Sequence, residues 1–551
     1  MKNIFLSISI FLFISGCVKE KIDLDNINSD SFDPSFAIPI GNVKLQLGRI
    51  NDRADRVLEV NATTGLLELV YLNSIFESQF LDFYQLPNPI LSGNSSMNAA
   101  EVAVFNSTPL GSSYNINTSN PSMISVTNSE QMDSLLIQTG SLSLTFNSTY
   151  SHSVNLTVTI PSLRKNGVIY SANVPLIYSG STPVSNTASL NLDGYTLDLT
   201  DAGTTSNTVR VNINAVFTKG AGAANTSESI GYTANFNLSQ VSAAFGYLGN
   251  RTISYQDSVN IDLNNNFLGG AVSFADPRLE LEIINSTGIP FQCQFNSIVA
   301  IGNVSNPNIS GPGLTSIPFI NKAFQLGDST ITNHLIDNSN TSPTLTTIFG
   351  ERLTALNYNA SIQMNPNGAT SNFVANVSKI AINSKIAIPL NGWGNGFKIN
   401  DTTSTNLQDV IGIDTSDAKN LKQITLRIST TNGLPLESEM QIYFLNNNNV
   451  LLDSLFVSGS KQILAAPTIN FSGSPSSSNY GKVLTPKKST VDVALTKNQY
   501  LNLIRFGQEK LVYSIKINTI NSSVPNNVKI FPEDFVSLKV SAKVDLQVAI
   551  N

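Results

Sequence analysis

Leu281-Glu282-Ile283-Ile284-Asn285-Ser286-Thr287-Gly288-Ile289-Pro290-Phe291 and Leu426-Arg427-Ile428-Ser429-Thr430-Thr431-Asn432-Gly433-Leu434-Pro435-Leu436 are one phrase written twice, each residue of the second lying 145 positions beyond its counterpart. An alternating strand runs into Gly-apolar-Pro-apolar, and the proline falls at the start of the next strand, where no ladder donor is lost. The copies continue with a slow drift. Phe349-Gly350 answers Phe506-Gly507, and Tyr358-Asn359-Ala360-Ser361-Ile362 answers Tyr513-Ser514-Ile515-Lys516-Ile517. Phe373-Val374 answers Phe535-Val536, and Ile386-Ala387-Ile388 answers Val548-Ala549-Ile550, both at a spacing of 162, as loop insertions would produce.

Two homologous units follow, about Gly270 to Gly392 and about Thr415 to Asn551. Each reads as a strand, the Gly-x-Pro turn, a second strand, a long irregular middle and a closing hairpin. The hairpin turns are Asn365-Pro366-Asn367-Gly368 and Ser522 to Asn527. A third, divergent copy precedes them without the Gly-x-Pro signature. Its first strand is Leu142 to Asn147, and Val209 to Phe217 is expected to pair with Ile230 to Leu238 across the Gly-rich Lys219 to Ser229. Before it lie Phe36-Ala37-Ile38-Pro39-Ile40, a hairpin-like Val57 to Tyr71, and an Asn/Ser-rich connector from about Ser92 to Ser129. Only Leu72 to Phe83 and Glu130 to Leu136 suggest helix; elsewhere period two prevails, as in Leu279, Leu281 and Ile283 against Glu280 and Glu282. The expected fold is all-β: tandem antiparallel β-sandwich-like domains with an internal repeat and little helix.

The first residues read as an export and anchoring signal. Met1-Lys2-Asn3 supplies one positive charge and Ile4 to Ile14 an apolar run broken by Ser7 and Ser9. That run is shorter than the about 20 residues of a membrane span. Ile14, Ser15, Gly16 and Cys17 then resemble a lipobox: an aliphatic residue, two small residues that fit a narrow peptidase site, and a thiol that receives lipid. The organisation expected is a signal peptide (1–16), a lipidated tether (17–33), an N-terminal β region and connector (34–125), β domain 1 (126–268), β domain 2 (269–392), a linker (393–414) and β domain 3 (415–551).

Composition bounds the function. The 551 residues exceed what one core organises, since cores stop growing near about 250–300 residues. Lys+Arg 32 against Asp+Glu 38 gives −6, and no basic cluster is present, so no nucleic-acid partner is expected. With Cys17 acylated, Cys293 has no disulfide partner; it alternates with polar neighbours in Phe291-Gln292-Cys293-Gln294-Phe295, the place of a small buried side chain.

Catalytic chemistry is sparse. Both histidines, His152 and His334, lack a metal-spaced partner and read as surface residues. Ser162-Leu163-Arg164-Lys165 follows a proline at a strand end, whereas a Ser-x-x-Lys nucleophile needs a helix. Gly392-Trp393-Gly394-Asn395-Gly396 has a phosphate loop's glycines without the helix behind them, which suits a flexible linker. Trp393, the sole tryptophan, is a candidate ligand contact, with packing at a domain joint as the plainer reading. Asp23 to Asp33 and Asp262 to Asn266 lack the full ligand pattern of a calcium loop. No catalytic residue, metal or cofactor is expected.

The Asn-Ser-Thr-Gly-Ile-Pro-Phe turn is similar to the Asn-Pro-x-x-x-Pro turn of the late-embryogenesis-abundant group 2 and water-stress modules, over about a dozen residues in each unit. That resemblance implies fibronectin-like sandwiches without catalytic residues, although the family's Asn-Pro pair is absent. The charged Val18 to Asp23 behind the cysteine resembles, with less acid, the surface-export signal of Bacteroidota lipoproteins, and the whole plan looks like their uncharacterised multi-domain members. Asp133-Ser134-Leu135, Asp257-Ser258-Val259 and Asp453-Ser454-Leu455 resemble that phylum's O-glycosylation acceptors. The expectation is an outer-membrane lipoprotein, attached through Cys17 and facing the cell surface rather than the periplasm, that binds or scaffolds a protein or glycan partner. The alternatives are a handler of lipids or other hydrophobes, and a glycoside hydrolase whose two carboxylates are remote in sequence.

Overall fold

The computed structural model describes residues 35–49, 56–79, 88–126, 128–261 and 269–547. Ile14, Ser15, Gly16, Cys17, the tether, the acidic stretches Asp23 to Asp33 and Asp262 to Asn266, and Val548 to Ile550 lie outside the described residues.

Four strands come first: β1 (Ser35–Gln46), β2 (Arg56–Val60), β3 (Leu67–Gln79) and β4 (Ile90–Ser95). Helix α1 (Ala99–Ser107) leads to β5 (Ser113–Met123), β6 (Gln131–Ser148), β7 (Ser153–Lys165), β8 (Val168–Leu176), β9 (Val184–Asn191), β10 (Thr196–Asp198), β11 (Thr208–Thr218) and β12 (Ile230–Tyr247). The middle of the chain holds β13 (Thr252–Asn260), β14 (Ala271–Phe274), β15 (Arg278–Asn285), β16 (Phe291–Gly302), β17 (Asn308–Ile309), α2 (Pro312–Thr315), β18 (Thr330–Ile336), α3 (Leu345–Gly350), β19 (Leu353–Met364), β20 (Asn372–Ala375), β21 (Lys379–Pro389) and β22 (Asn391–Asn395). The last part holds β23 (Phe397–Ser404), α4 (Leu407–Ile411), β24 (Leu421–Asn432), β25 (Leu436–Asn446), β26 (Leu451–Ser454), β27 (Lys461–Leu464), β28 (Thr468–Ile469), β29 (Val483–Thr485), β30 (Lys487–Thr496), α5 (Lys497–Arg505), β31 (Gln508–Thr519), β32 (Val528–Lys529) and β33 (Phe535–Leu546).

The strand order is the same three times over. A front sheet runs β9-β6-β12-β4 in the first sandwich, β18-β15-β21-β3 in the second and β30-β24-β33-β1 in the third. A back sheet runs β5-β11-β7-β8, then β13-β19-β16-β17, then β23-β31-β25-β26. In the first sandwich β10 bridges β6 and β7, so both faces merge into one ten-stranded sheet that also takes in β20 of the second. Period two builds the interior: Val209, Val211, Ile213, Ala215 and Phe217 of β11 are all buried, with Arg210, Asn212 and Asn214 between them pointing outward. One core runs through the first two sandwiches and a second fills the third.

Four expectations are corrected. The closing hairpins are crossovers: β19 and β21 lie in opposite sheets of the second sandwich, as do β31 and β33 in the third. The Gly-x-Pro turn likewise carries β15 to β16 across the core. In the first sandwich β11 pairs with β5 and β7, while β12 pairs with β6, β4 and β20, so Val209 to Phe217 does not meet Ile230 to Leu238. In each case both strands bury alternate residues, a pattern met equally by neighbours in one sheet and by partners facing across a sandwich. The segment 393–414 is no flexible linker, because it forms most of β22, all of β23 and α4. The supposed helices at Leu72 and Glu130 fall in β3 and at the threshold of β6, whereas a true helix, α1, sits inside the Asn/Ser-rich connector. Its signal was the capping box Asn98/Glu101.

The N-terminal strands form no element of their own. They serve as a strap that gives one strand to each sandwich in reverse order: β1 to the third, β3 to the second, β4 to the first. β1 pairs with β33 from Ser35↔Asp545 to Gln46↔Phe535, and β3 pairs with β21 from Glu68↔Pro389 to Gln79↔Lys379. The back sheet of the second sandwich holds its strap strand through Tyr358, whose hydroxyl donates to the Ile75 carbonyl at 2.8 Å.

A buried polar residue ends each of the equivalent strands β6, β15 and β24. Asn285 Nδ2 donates to the carbonyls of Ile289 and Asn321 (2.8 and 3.0 Å), and its Oδ1 accepts the Thr287 N–H (2.9 Å). Asn432 does the same with Leu436, Ala465 and the Leu434 N–H (2.7, 2.9 and 3.0 Å). Ser148 accepts the Tyr150 N–H at 3.2 Å in the first sandwich. Register also revises one match: Leu279 pairs with Ile386 and its counterpart Ile424 with Val544, so Val544 corresponds to Ile386.

Candidate binding groove

The second sandwich carries a groove of about 830 Å³ on the outer face of its front sheet. Alternation decides what it presents. Leu279, Leu281 and Ile283 of β15 point into the core, so Arg278, Glu280 and Glu282 face out. Cross-strand register sets Glu280 in one row with Leu335, Lys385 and Leu72, and Glu282 in the next row with Asn333, Asn383 and Ser74. Apolar side chains therefore stand at both ends of the first row, with Leu72 58% and Leu335 44% exposed.

The charges are largely spent on the strap. Arg278 pairs with Glu68 at 2.6 Å and with Glu280 at 2.8 Å, and Lys385 pairs with Glu59 at 2.7 Å. Further along the sheet Lys379 pairs with Glu77 at 2.7 Å. Glu68 is buried and also accepts from Asn61 Nδ2 at 2.7 Å, so the Arg278 ion pair closes a satisfied polar cluster. Glu282 is exposed and accepts from Asn383 Nδ2 at 3.3 Å. Such a surface offers two aliphatic footholds with carboxylate and amide groups between them. It can hold an extended polypeptide, with apolar side chains on the leucines and backbone N–H groups on the carboxylate and amides. Among the described residues its lining contains no Trp, Tyr or Phe ring on which a sugar would stack. Glu280, half-buried, and Glu282, exposed, stand two positions apart on this face.

The residues singled out from sequence do not converge on this groove. Trp393 lies in β22, and its indole N–H donates to the Ser522 carbonyl at 3.0 Å. β22 pairs with β14 on one side and β32 on the other, so this strand joins the second sandwich to the third. Gly392 and Gly394 are glycines because a Cβ there would meet the Ser273 carbonyl at 2.2 Å and the Phe397 ring at 2.7 Å. Cys293 is buried on the inner face of β16, and burial pushes its thiol up to about 12. Ser162 is buried in β7. His334 sits on edge strand β18, its Nε2 2.7 Å from the Gly313 carbonyl, and it contributes to the groove's rim.

His152 departs most from the surface reading. It is buried at the far end of the first sandwich, where Nδ1 accepts the Gly220 N–H at 3.1 Å and its ring stands edge-on to Phe105 at 4.8 Å. Burial, and then the nearby Lys219 ammonium, hold its pKa below the usual histidine value. Lys219 is buried as well, donating to the Gly222 carbonyl (2.7 Å) and Asn106 Oδ1 (3.3 Å) under helix α1. Among the described residues no cluster of His, Cys, Asp and Glu could hold a metal ion, and no helix is long and apolar enough to cross a membrane.

The groove residues escaped sequence reading because Glu280 and Glu282 register there only as the polar half of a strand. Nothing local shows that Leu72 and Lys385, about 200 and 100 residues away, complete their row.

No protein-family profile and no curated protein matches the chain. Among solved structures it is similar to a "putative secreted protein" from Parabacteroides distasonis, with 11% identity and a TM-score of 0.28 over 55% of this chain and 88% of that one. It is also similar to the infectious bursal disease virus Gx strain structure (8%, TM-score 0.12, 79% of each chain) and to Sulfolobus Turreted Icosahedral Virus (10%, TM-score 0.11, 92% and 97%). Scores this low bear on neither the fold nor the function of the chain.

Proposed function

We propose that the chain is a non-catalytic binding and scaffolding protein of the cell envelope, held to the outer membrane by a lipid on Cys17 and facing the cell surface, where it meets a protein partner. One observation carries this reading: the strap fastens three sandwiches into a single arm. An arm fixed at one end serves display. The groove on its middle sandwich supports a polypeptide partner over a glycan, because its apolar footholds are aliphatic. The hydrophobe-handling alternative draws less support. The merged sheet of the first sandwich packs Phe146, Tyr150, Leu156, Phe217 and Leu238 into a side-chain core.

Proteinase shaving of intact cells, read with an antibody to the third sandwich and with Cys17→Ala as the unanchored control, tests the placement. Loss of signal on intact cells is expected, while protection until lysis would place the arm inside the envelope. Glu282→Lys should weaken retention of surface proteins cross-linked to the arm, since it reverses the groove carboxylate that stands outside the ion pairs of Arg278 and Lys385. Unchanged retention would remove the groove from the reading.

A further inference from the structure

We infer that the arm stands on its membrane inverted relative to its sequence, with the C-terminal sandwich against the bilayer and the first sandwich outermost. The inference rests on the lipid anchor proposed at Cys17. What it adds is the direction of the arm, and that comes from strand register alone.

Ser35 opens β1 opposite Asp545, and its side-chain hydroxyl bonds the Asp545 carboxylate. The same end of the third sandwich holds the start of β24 (Leu421↔Leu546) and the end of β30 (Gln423↔Thr496). The other end of β1, Gln46↔Phe535, lies at the joint, where Gln46 Nε2 donates to Pro532 O (3.2 Å) and Leu67 N–H to Ile530 O (3.1 Å). β1 therefore runs from the free end of the third sandwich toward the second. β3 continues the course, from Glu68↔Pro389 beside that joint to Gln79↔Lys379. There Asn376 N–H meets the Ser242 carbonyl and β20 pairs with the end of β12. β4 then runs from Ile90↔Asn235 to Ser95↔Ile230, away from the second joint, and delivers the chain to α1 at the far tip. The three strap strands thus lead in turn from the free end of the third sandwich, through both joints, to the tip of the first, and Ser35 marks the beginning of that course.

The rest is covalent geometry. Residues 18–34 separate Cys17 from Ser35, and seventeen residues reach at most about 60 Å, or about 23 Å root-mean-square if they behave as a flexible chain. The strands of 12, 13 and 18 residues in the three front sheets put the tip on the order of 100 Å beyond Ser35. The tether pins the free end of the third sandwich near the lipid and cannot bring the tip there while the arm stands. The surface presented outward is then the tip of the first sandwich: helix α1, with Val104 half exposed, and the loops carrying Leu110 and Ile177, which are 72% and 69% exposed.

The test uses the full lipidated chain in phosphatidylethanolamine/phosphatidylglycerol vesicles that contain an acceptor-labelled lipid. A donor dye is placed on Thr415→Cys, exposed beside the free end of the third sandwich, or on Thr226→Cys, exposed at the tip; Cys293 is buried and stays unlabelled. Flotation with the vesicles, lost in Cys17→Ala, verifies the anchor first. Strong transfer from position 415 and little from 226 is expected. Equal transfer, or the reverse order, with flotation intact overturns the orientation alone; a wild-type chain that does not float overturns the anchor and the inference with it.

Discussion

Gly288 and Gly433 hold the same place in two copies of one turn, yet the structure assigns them different tolerances. Gly288 N–H donates to the Phe373 carbonyl at 2.7 Å, and Gly433 N–H to the Phe535 carbonyl at 2.8 Å. A Cβ on Gly288 would fall 2.3 to 2.6 Å from three atoms of the Phe373 ring, whereas on Gly433 it would meet Phe535 at 3.1 to 3.3 Å. Against a contact distance of about 3.5 Å, the first clash moves a ring and its strand by about 1 Å, and the second is relieved by a few tenths. Overpacking of the first kind costs about 1–3 kcal/mol. Replacing glycine by alanine returns about 0.4–1 kcal/mol through the unfolded chain. Gly288→Ala is therefore expected to destabilise the second sandwich by about 1–2 kcal/mol net. Gly433→Ala should be close to neutral.

The assay must be local, since a three-sandwich chain does not unfold in one step. Hydrogen exchange read by mass spectrometry on peptides covering 278–302 and 372–389 should quicken about tenfold in Gly288→Ala. The counterpart peptides, 421–446 and 535–546, should hardly change in Gly433→Ala. In a Phe373→Leu background the Gly288→Ala penalty should shrink, because the two residues are in contact and their effects couple. Equal penalties at both glycines would refute the claim that ring approach fixes this turn.

Three further outcomes are expected. Arg278→Ala strands the buried Glu68 carboxylate and should cost about 3 kcal/mol, freeing the β2–β3 segment of the strap to exchange, whereas Lys379→Ala breaks an exposed pair and should cost less than about 0.5 kcal/mol. Thr519→Val removes the hydroxyl that accepts from Gly394 N–H (3.2 Å) and donates to its carbonyl (3.0 Å). It should weaken the joint by about 1–2 kcal/mol, so that Trp393 fluorescence changes at lower urea while protection in the first sandwich stays constant.

The third outcome is that acid acts with opposite signs on the tip of the first sandwich and on the joint between the second and third. The folded pKa of His152 lies below its unfolded value near 6.5, so its contribution is complete above that pH and is lost as pH falls toward the folded value. Burial raises Asp534 from 3.8 to about 6, so its unfavourable ionisation is relieved as pH falls from 6 to 4. Protection relative to the intrinsic exchange rate at each pH should therefore fall around 148–153 and 217–230 and rise around 528–546 on acidification, with His152→Phe and Asp534→Asn flattening the respective trends.

Sequence alone determined the secondary structure class and the repeat, because both are written in local signals. Period-two burial makes Val209 to Phe217 a strand wherever it lies, and Gly288 announces its turn through steric need. The same residues did not say which strands pair. Backbone ladders use groups common to all residues, and an inward-facing alternation fits a neighbour in the sheet as well as a partner across the core. Hence crossovers read as hairpins, and a joint-forming strand around Trp393 read as a linker. Only the tertiary structure decided that β1, β3 and β4 are dealt out to the three sandwiches in reverse, and that Glu280 stands in a groove with Leu72 and Lys385. Those placements depend on contacts between residues hundreds of positions apart, where the burial gained by completing each front sheet outweighs the entropy of closing so long a loop, a cost that grows only logarithmically with length.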